Sequence, residues 1–197
     1  MGGRIIVAGD PLGSNGYTGY DLHDKVVDGN GFSIAWTGSY KVAELIEDKV
    51  LTKKPTPMFT SLAQVRTFCY SLQESLVKYG RVNATSSTTH FPVYDFSLII
   101  ASPYGLWYVQ NDLSAFEAKT FCALGSGGTH AEAAMATILR MKAAHNLPDI
   151  DAKYLVETAI KVADEFVVSV NSNVWCREYA QKPKLKKVEV EKEEAND

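Results

Sequence analysis

The sequence predicts an α+β fold with four layers, an αββα sandwich in which helices cover the outer faces of two packed antiparallel sheets. Blocks of β-rich sequence alternate with pairs of amphipathic helical segments, which is typical of this architecture. The sequence has no internal repeat of about 20–50 residues, which argues against a solenoid or a propeller. The chain of 197 residues is 46% hydrophobic and 22% charged, which suits one soluble domain with a sizeable core. We therefore expect a single domain over residues 1–181 and a charged, disordered tail over residues 182–197.

Composition argues against several classes of function. The net charge of −3 argues against nucleic-acid and anionic-membrane partners. No apolar run approaches the roughly 18 residues that a transmembrane helix needs, and the apolar stretch Ile5–Ala8 is shorter than the roughly 7–15 residues of a signal-peptide core. The expected location is therefore cytoplasmic. The cysteines are widely spaced without a CxxC pair and the histidines are scattered, so we expect free thiols, no metal and no cofactor.

The first part of the chain predicts two strands separated by a loop. Ile5–Ala8 is a short β-rich run that ends at Asp10, and Phe32–Trp36 is a second run that ends in small residues. The turn formers in the stretch Pro11–Gly19 predict a loop between them.

Two helices follow, to judge from apolar spacing and from the residues that start and stop helices. Apolar residues at helical spacing form one stripe along Tyr40–Lys53, and the prolines after it end the helix. Ser61 and Gln64 form a capping-box pattern that opens a second helix, which runs to about Lys78. The polar stretch 83–89 predicts a mobile loop or hairpin tip.

The second half repeats this order, with strands before helices. Tyr94–Ser102 and Leu106–Val109 are predicted strands joined by a Pro-Tyr-Gly turn, and Lys119–Leu124 is a further predicted strand.

Two helices and a final β region are expected after these strands. The helices span about Thr129–His145 and Asp151–Asp164, and Asp151 is the N-cap of the second. The β-rich runs Phe166–Val170 and Val174–Tyr179 close the domain and are expected to pair with each other.

The joint before the Thr129–His145 helix is rich in glycine, with Gly125, Ser126, Gly127 and Gly128 in succession. Glycines permit a sharp turn and the close approach of another group, and the amides at the start of a helix can bind an anion or a polar group. The joint is therefore either a turn that determines the fold or a ligand site. No Gly-Lys-Ser/Thr follows, which argues against a phosphate-binding loop, and Leu124 breaks the G-x-S-x-G pattern.

Three segments, spread over nearly the whole chain, match one known family in order and spacing. They are Ile5-Ile-Val-Ala-Gly-Asp10, Phe32-Ser-Ile-Ala-Trp-Thr-Gly-Ser39, and Ala123-Leu-Gly-Ser-Gly-Gly128 with the alanine-rich helix after it. They resemble, respectively, the second strand, the strand and turn before the first helix, and the glycine motif of the proteasome β-subunit and bacterial HslV peptidase family. This family is part of the N-terminal-nucleophile hydrolases.

The resemblance implies a specific site and a specific assembly. In that family an N-terminal threonine attacks a peptide carbonyl with its own α-amine as general base, and subunits stack as rings. Position by position, Asp10 would be the aspartate that tunes the site, Lys25 the lysine that accompanies it, and Ser126 the serine near the terminal amine. Three glycines would shape the turn and the oxyanion-binding site: Gly125, Gly127 and Gly128. The implied partners are copies of the chain, in a homo-oligomeric ring or larger assembly, and peptide or unfolded protein.

The start of the chain departs from the family. Only Met1-Gly2-Gly3-Arg4 precede the first β-rich run, so the family's nucleophile is not expected, and Gly2 would lie about 25 Å from the catalytic end of that strand. The first hypothesis is therefore a ring-forming subunit without proteolytic activity, with a structural or assembly role. The alternative is an active threonine-type peptidase subunit whose true N-terminus is missing from this sequence. A third hypothesis, a hydrolase that uses Ser126, lacks a paired base.

The missing strand also has a structural consequence. Without it, the Ile5–Ala8 strand would lose a hydrogen-bonding partner and present an open edge. We expect a neighbouring chain or another segment to cover that edge.

Overall fold

The computed structural model describes residues 3–10, 12–14, 19–21, 25–52, 57–78, 93–167, 170 and 173–183. Within these residues the strands are β1 (Arg4–Gly9), β2 (Leu12–Ser14), β3 (Gly19–Asp21), β4 (Val26–Gly29), β5 (Phe32–Gly38), β6 (Phe96–Ser102), β7 (Gly105–Val109), β8 (Ala115–Glu117) and β9 (Trp175–Ala180). The helices are α1 (Tyr40–Glu47), α2 (Leu62–Lys78), α3 (Gly128–His145) and α4 (Ala152–Phe166), and a π-helical turn, Asp48–Thr52, follows α1. None of these helices is long and apolar enough to cross a bilayer.

Five antiparallel strands form the larger sheet, in the order β4-β5-β6-β7-β8. Its central strand, β6, pairs with β5 on one side and with β7 on the other. β6 is buried along nearly its whole length and is a continuous apolar run rather than an alternating one, because other layers cover both faces of the sheet. The predicted Pro103-Tyr104 turn joins it to β7.

The smaller sheet consists of β1 and β9, which pair antiparallel with Ile5 opposite Tyr179. It packs on the larger sheet through an apolar cluster that includes Val7 and Ile99. A polar link also joins the sheets, because the Tyr179 hydroxyl lies 2.6 Å from the Ser33 hydroxyl of β5.

Three apolar clusters separate four layers, which confirms the predicted α+β sandwich. The first cluster lies between the larger sheet and the α1/α2 layer and includes Ile34, Ile46 and Leu72. The second lies between the two sheets. The third joins α3 and α4 to each other and to the segment before α3, and α4 also contacts β1. The layers therefore follow the order α1/α2, larger sheet, smaller sheet, α3/α4.

The strand predicted at Lys119–Leu124 is wrong. The strand in this region is β8, which pairs with β7, and residues 118–124 form none. Ala118 still donates its N–H to the Leu106 carbonyl at 2.8 Å, but no described strand lies beside the residues after it. A β-prone sequence becomes a strand only where a neighbour offers a hydrogen-bonding ladder.

Two other expectations are also wrong, one about the pairing of strands and one about a loop. β9 pairs with β1 rather than with the run Phe166–Val170, because α4 continues through Phe166; residues 168 and 169 lie outside the described part of the chain. The stretch Pro11–Gly19, predicted as a loop, contains β2 and leads into β3, and these two short strands pair antiparallel.

The helix ends differ from prediction in detail. The first helix changes from α to π geometry after Glu47. At the start of α2 the Gln64 side chain accepts hydrogen bonds from the N–H and hydroxyl of Thr60, at 2.6 and 2.8 Å, so Thr60 rather than Ser61 is its partner. Asp151 is confirmed as the N-cap of α4, since its carboxylate accepts from two following backbone N–H groups.

Several predictions fall outside the described residues. They concern the loop at 83–89, the last residue of the first predicted helix, Lys53, and the tail after residue 183, whereas the second helix extends to Lys78 as predicted. Lys182 still belongs to the ordered fold, because its N–H donates to the Pro103 carbonyl at 2.6 Å. The domain boundary between residues 181 and 182 stays a prediction.

Candidate active site

Lys25 and Asp10 form an ion pair at the end of the smaller sheet. The Lys25 ammonium donates to the two carboxylate oxygens of Asp10 at 3.0 and 3.2 Å. The side chains are 22% and 15% exposed, respectively, so the pair is largely removed from water. Asp10 directly follows β1 and Lys25 directly precedes β4. The ends of two strands in different sheets thus bring together two of the residues that the resemblance selects.

Backbone contacts hold the pair in place. The Lys25 carbonyl accepts a hydrogen bond from the Trp36 N–H at 2.9 Å, which ties it to β5. A Cβ on Gly9 would lie 3.1 Å from Val26 Cγ2, so glycine lets β1 and β4 approach closely here. Burial, together with the negative charge of Asp10, raises the pKa of the Tyr40 phenol.

The turn before α3 depends on Gly125. Its φ of +85° lies in the left-handed region, a backbone conformation that residues other than glycine adopt only at a cost in free energy. The Gly128 N–H donates to the Gly125 carbonyl at 3.0 Å and closes the turn. A Cβ on Gly125 would lie 3.2 Å from Thr37 Oγ1, so space is restricted as well as conformation.

Gly127 and Gly128 differ in how strictly they require glycine. A Cβ on Gly127 would lie 2.7 Å from Val170 Cγ2 and 3.0 Å from Ala163 Cβ. Gly127 therefore allows α4 and the segment after it to pack against the turn. A Cβ on Gly128 would meet only the Ala123 backbone, at an ordinary 3.4 Å. The steric argument thus applies to Gly125 and Gly127 and not to Gly128.

One pocket of about 140 Å³ brings most of the expected site residues together. Asp10, Lys25, Gly125, Ser126 and Gly127 line it, whereas Gly128 lines a neighbouring cleft. The rest of the wall comes from both sheets and from α3 and α4, and includes Ala8, Trp36, Thr37, Ile99, Cys122, Met135, Ala159 and Ala163. We call this cavity the Asp10 pocket. The functional roles of its residues stay predictions.

The Asp10 pocket combines a charged pair with hydroxyl and thiol groups. Thr37, Cys122 and Ser126 contribute hydroxyl and thiol groups, and no histidine is among the described residues that line it. Burial, with a smaller effect from Glu132, raises the pKa of the Cys122 thiol to about 12, so its reactive thiolate is scarce at neutral pH. An ammonium fixed in such a wall lowers the pKa of an amine or hydroxyl placed beside it. The described residues contain no group of three or more side chains arranged to bind a metal.

A second cavity, of about 470 Å³, runs beside β1 and adjoins the Asp10 pocket. Residues 4–8 line one side of it and residues 117–122 line another. The two cavities share four lining residues: Ala8, Ile99, Cys122 and Met135. We call the larger cavity the β1 groove.

Sequence reasoning missed two polar residues of the pocket wall. Thr37 lies near the end of β5, and its position just after the predicted strand Phe32–Trp36 is the signal that could have indicated it. Cys122 was interpreted only as a buried thiol, although it lies three residues before Gly125. Trp36, which also lines the pocket, is 5% exposed.

Comparison with known proteins identifies the fold. No protein-family model matches the chain, and no curated protein matches it significantly. Among solved structures, BPH of Thiobacillus denitrificans, a bacterial proteasome homologue, superposes with a TM-score of 0.80 at 22% identity, over 91% of this chain and 94% of its own. The chain has a proteasome-like N-terminal-nucleophile hydrolase fold.

Two further solved structures agree with this fold. BPH in complex with epoxomicin superposes with a TM-score of 0.79 at 22% identity, over 92% of this chain and 95% of its own. HslV from Trypanosoma brucei superposes with a TM-score of 0.61 at 18% identity, over 92% of this chain and 96% of its own. The expected proteasome/HslV-like fold is therefore confirmed.

Proposed function

We propose that this chain is a subunit of a proteasome-like ring, and that its 197 residues hold the supporting groups of a peptidase site without the group that attacks the substrate. By this proposal the chain as given is not proteolytic, and its role is in assembly and structure. The observation that carries the proposal is the Lys25–Asp10 ion pair in a pocket that Ser126 also lines.

An ion pair in this position is a costly way to stabilise a fold. Removing two charges from water carries a desolvation penalty that their attraction repays only in part. An ion pair retained in the wall of an open pocket is therefore better explained by a ligand or a reacting group than by stability. A lysine ammonium there would lower the pKa of an incoming amine or hydroxyl, which is the role that the family resemblance gives to Lys25.

Exposed apolar side chains support the assembly part of the proposal. Tyr70 and Val77 on α2, and Tyr154 and Phe166 on α4, are between 62% and 67% exposed. They lie on the two outer helical layers of the sandwich. Exposed apolar side chains of this size are available for contacts with other proteins, and we assign these helices to contacts between subunits.

The alternative function is that of an active threonine-type peptidase, in which a segment preceding this sequence supplies the nucleophile. The β1 groove favours it, because the groove leads along β1 directly to the Asp10 pocket. A structure of the same fold has been solved in complex with epoxomicin, so epoxomicin is a suitable probe for a reactive site.

The experiment uses the purified 197-residue chain. Native mass spectrometry and negative-stain electron microscopy measure assembly, fluorogenic peptides measure hydrolysis, and intact mass after epoxomicin treatment measures adduct formation. We expect a closed oligomer, no hydrolysis and no adduct. A monomer at micromolar concentration would contradict the ring, and hydrolysis or an adduct would contradict the non-proteolytic role.

A matched pair of variants decides where any observed hydrolysis arises. Lys25→Met removes the ammonium from the Asp10 pocket, and Lys161→Met removes one from the exposed surface of α4. If hydrolysis is lost in the first variant and kept in the second, the Asp10 pocket is catalytic and the alternative function is correct. If both variants hydrolyse peptide as well as the parent, the hydrolysis arises outside this pocket.

A further inference from the structure

β8 is one edge of the larger sheet, and no described strand lies beside its outer side. The Ala118 N–H donates to the Leu106 carbonyl at 2.8 Å, which identifies that pair of residues in β8 and β7 as hydrogen-bonded. Such pairs alternate in an antiparallel ladder, so the backbone groups of Phe116 point towards β7. Those of Ala115 point the other way, out of the sheet edge.

A cleft of about 560 Å³ lies beside this edge, between β8 and α2. Its lining residues are 112–116 on one side and, on α2, Arg66, Cys69, Tyr70 and Gln73. The Ala115 side chain belongs to the apolar cluster on the α2 face of the sheet. Phe116 points to the opposite face and is 50% exposed. A strand in this cleft would be covered on one face only, and such strands alternate apolar and polar residues.

The rim of the cleft favours an acidic occupant. Arg66 is exposed there, and its guanidinium forms no ion pair within the described residues. Asp112 is the acidic residue of the wall. Its two carboxylate oxygens accept hydrogen bonds from the N–H and the hydroxyl of Ser114, at 2.8 and 2.9 Å. The Asp112 carboxylate is therefore held within its own turn, and the Arg66 charge is left for another acidic group.

The chain approaches this region at the end of its described part. After β9 the Lys182 N–H donates to the Pro103 carbonyl at 2.6 Å, and the Lys182 ammonium lies 5.7 Å from the centre of the Tyr104 ring. Tyr104 packs against the apolar cluster between the larger sheet and the α1/α2 layer. At residue 182 the chain has therefore left the smaller sheet and lies against the turn between β6 and β7.

The sequence after this point has the length and the pattern that the cleft requires. Val188-Glu-Val-Glu191 alternates apolar and acidic residues, and the stretch from Lys182 to Val188 spans up to about 20 Å when extended. The far side of β8 lies about two to three strand spacings from the β6–β7 turn. Glu117 pairs with Trp107, about 10 Å along β7 from that turn. The distance to cover is thus roughly 16–18 Å, which the stretch can reach.

We infer that Val188-Glu-Val-Glu191 of this chain's own tail adds to the outer edge of β8 as a further, antiparallel strand of the larger sheet. It enters beside Glu117 and runs towards Ala115, with its valines against α2 and its glutamates on the open side near Arg66. The backbone groups of Ala115 bind it. Composition predicts that the tail is disordered by itself, and strand addition orders this part of it. The inference rests on neither the Asp10 pocket nor the ring.

The test measures amide hydrogen exchange at single residues in the full 197-residue chain. The Ala115 amide reports on the outer edge of β8, and the Phe116 amide, which points towards β7, is the internal reference. We expect Val188→Lys combined with Val190→Lys to speed exchange at Ala115 by at least about tenfold, because two ammonium groups would be buried against α2 without partners. Exchange at Phe116 should not change. Equal rates at Ala115 in this variant and the parent would overturn the inference.

A matched variant controls for the added charge. Ala195→Lys combined with Asn196→Lys adds the same two charges to the tail outside the proposed strand. Exchange at Ala115 should then stay as slow as in the parent. If it becomes as fast as in the valine variant, charge alone releases the tail, and the packing of the valines against α2 is contradicted.

The remaining outcomes concern other occupants of the edge. Deletion of residues 184–197 should speed exchange at Ala115 as much as the valine variant does. Protection of Ala115 that survives this deletion would mean that another segment or another molecule covers the edge, which overturns the inference. Protection should also be independent of protein concentration. If it appears only as the concentration rises, the occupant belongs to a second copy, and the inference is again overturned.

Discussion

The two faces of the larger sheet are covered very differently. On the α1/α2 face, Ile34, Leu72 and Ile100 are completely buried, and six residues of α2 are buried against the sheet. On the other face the cover is a two-stranded sheet beside a groove of about 470 Å³. In α3, which lies behind that sheet, only Gly128, Ala131 and Met135 are buried. The first face is close-packed around these residues, although a cleft of about 560 Å³ lies between α2 and residues 112–116, whereas the second face leaves the β1 groove open.

The two faces therefore serve different purposes. The close-packed face sets the fold, and the other face contains the candidate functional site. A close-packed core specifies one structure and tolerates little change. The less completely packed face contains the Asp10 pocket, the glycine turn and the groove. The predictions that follow test this contrast, from the largest expected effect to the smallest.

Ile100→Ala should destabilise the protein most. Ile100 is 0% exposed on the sealed face, so truncation leaves a closed cavity, and we expect a loss of about 4 kcal/mol in the free energy of unfolding. Urea denaturation measures this loss. Met141→Ala, at a side chain that is 53% exposed on α3, is the control and should change stability by less than about 0.5 kcal/mol. A loss at Ile100 no larger than the control would contradict a sealed core.

Leu155→Ala should destabilise the protein by about 2 kcal/mol, roughly half as much. Leu155 lines the β1 groove, so the space left by its side chain joins an existing cavity and fewer packing contacts are lost. The same urea titration measures it. A loss as large as that of Ile100→Ala would contradict the difference in packing between the two faces.

Gly125→Ala and Gly128→Ala should differ, although the two glycines are in the same turn. The first substitution places a side chain at a φ of +85° and 3.2 Å from Thr37 Oγ1, and we expect it to cost about 1–2 kcal/mol. The second meets nothing closer than 3.4 Å and should be neutral within about 0.5 kcal/mol. Thermal unfolding of both variants gives the comparison. Equal losses would mean that the turn requires glycine for a reason other than backbone conformation.

Thiol labelling should distinguish Cys69 on the sealed face from Cys122 in the β1 groove. Burial raises the pKa of both thiols to about 12, so at pH 8 each is a thiolate only about one part in ten thousand. A difference in labelling rate therefore reports access. We expect Cys122 to react at least about tenfold faster than Cys69, measured by mass spectrometry on variants that each keep one cysteine.

The pH dependence of this labelling has a definite sign. Below pH 12 the thiolate fraction of Cys122 rises about tenfold for each pH unit, so its rate should rise by that factor between pH 8 and pH 9. Cys69 is 2% exposed and should react only through unfolding, with a weaker dependence on pH. Equal rates for the two thiols would contradict the contrast between the faces.

Local signals predicted much of the fold. The Pro-Tyr-Gly turn predicted the hairpin of β6 and β7, and Asp151 predicted the start of α4, because each signal acts within a few residues. The failures required information from elsewhere in the chain. β9 lies far in sequence from its partner β1, and the strand expected at Lys119–Leu124 has no described strand beside it. Neither fact is visible in the local pattern.

The residues of the candidate site could be predicted from the sequence only through its resemblance to the proteasome/HslV family. Isolated from the matched segments, Asp10 and Lys25 are an ordinary turn aspartate and an ordinary surface lysine. The fold brings them to 3.0 Å because two strand ends meet. Thr37 and Cys122 carry no chemical pattern of their own, so their place in the pocket wall depends on tertiary packing alone.

The position of β1 between two layers has a consequence for solubility. An exposed sheet edge on a protein surface invites pairing with the edge of another molecule and so promotes aggregation. Here Ile99 and Leu106 flank the open edge on one side, and Met135 and Leu155 flank it on the other. A strand that still belongs to another sheet would bring neighbours that collide with these walls. These walls therefore keep whole sheets away from the open edge, so the edge need not make the protein prone to form fibres.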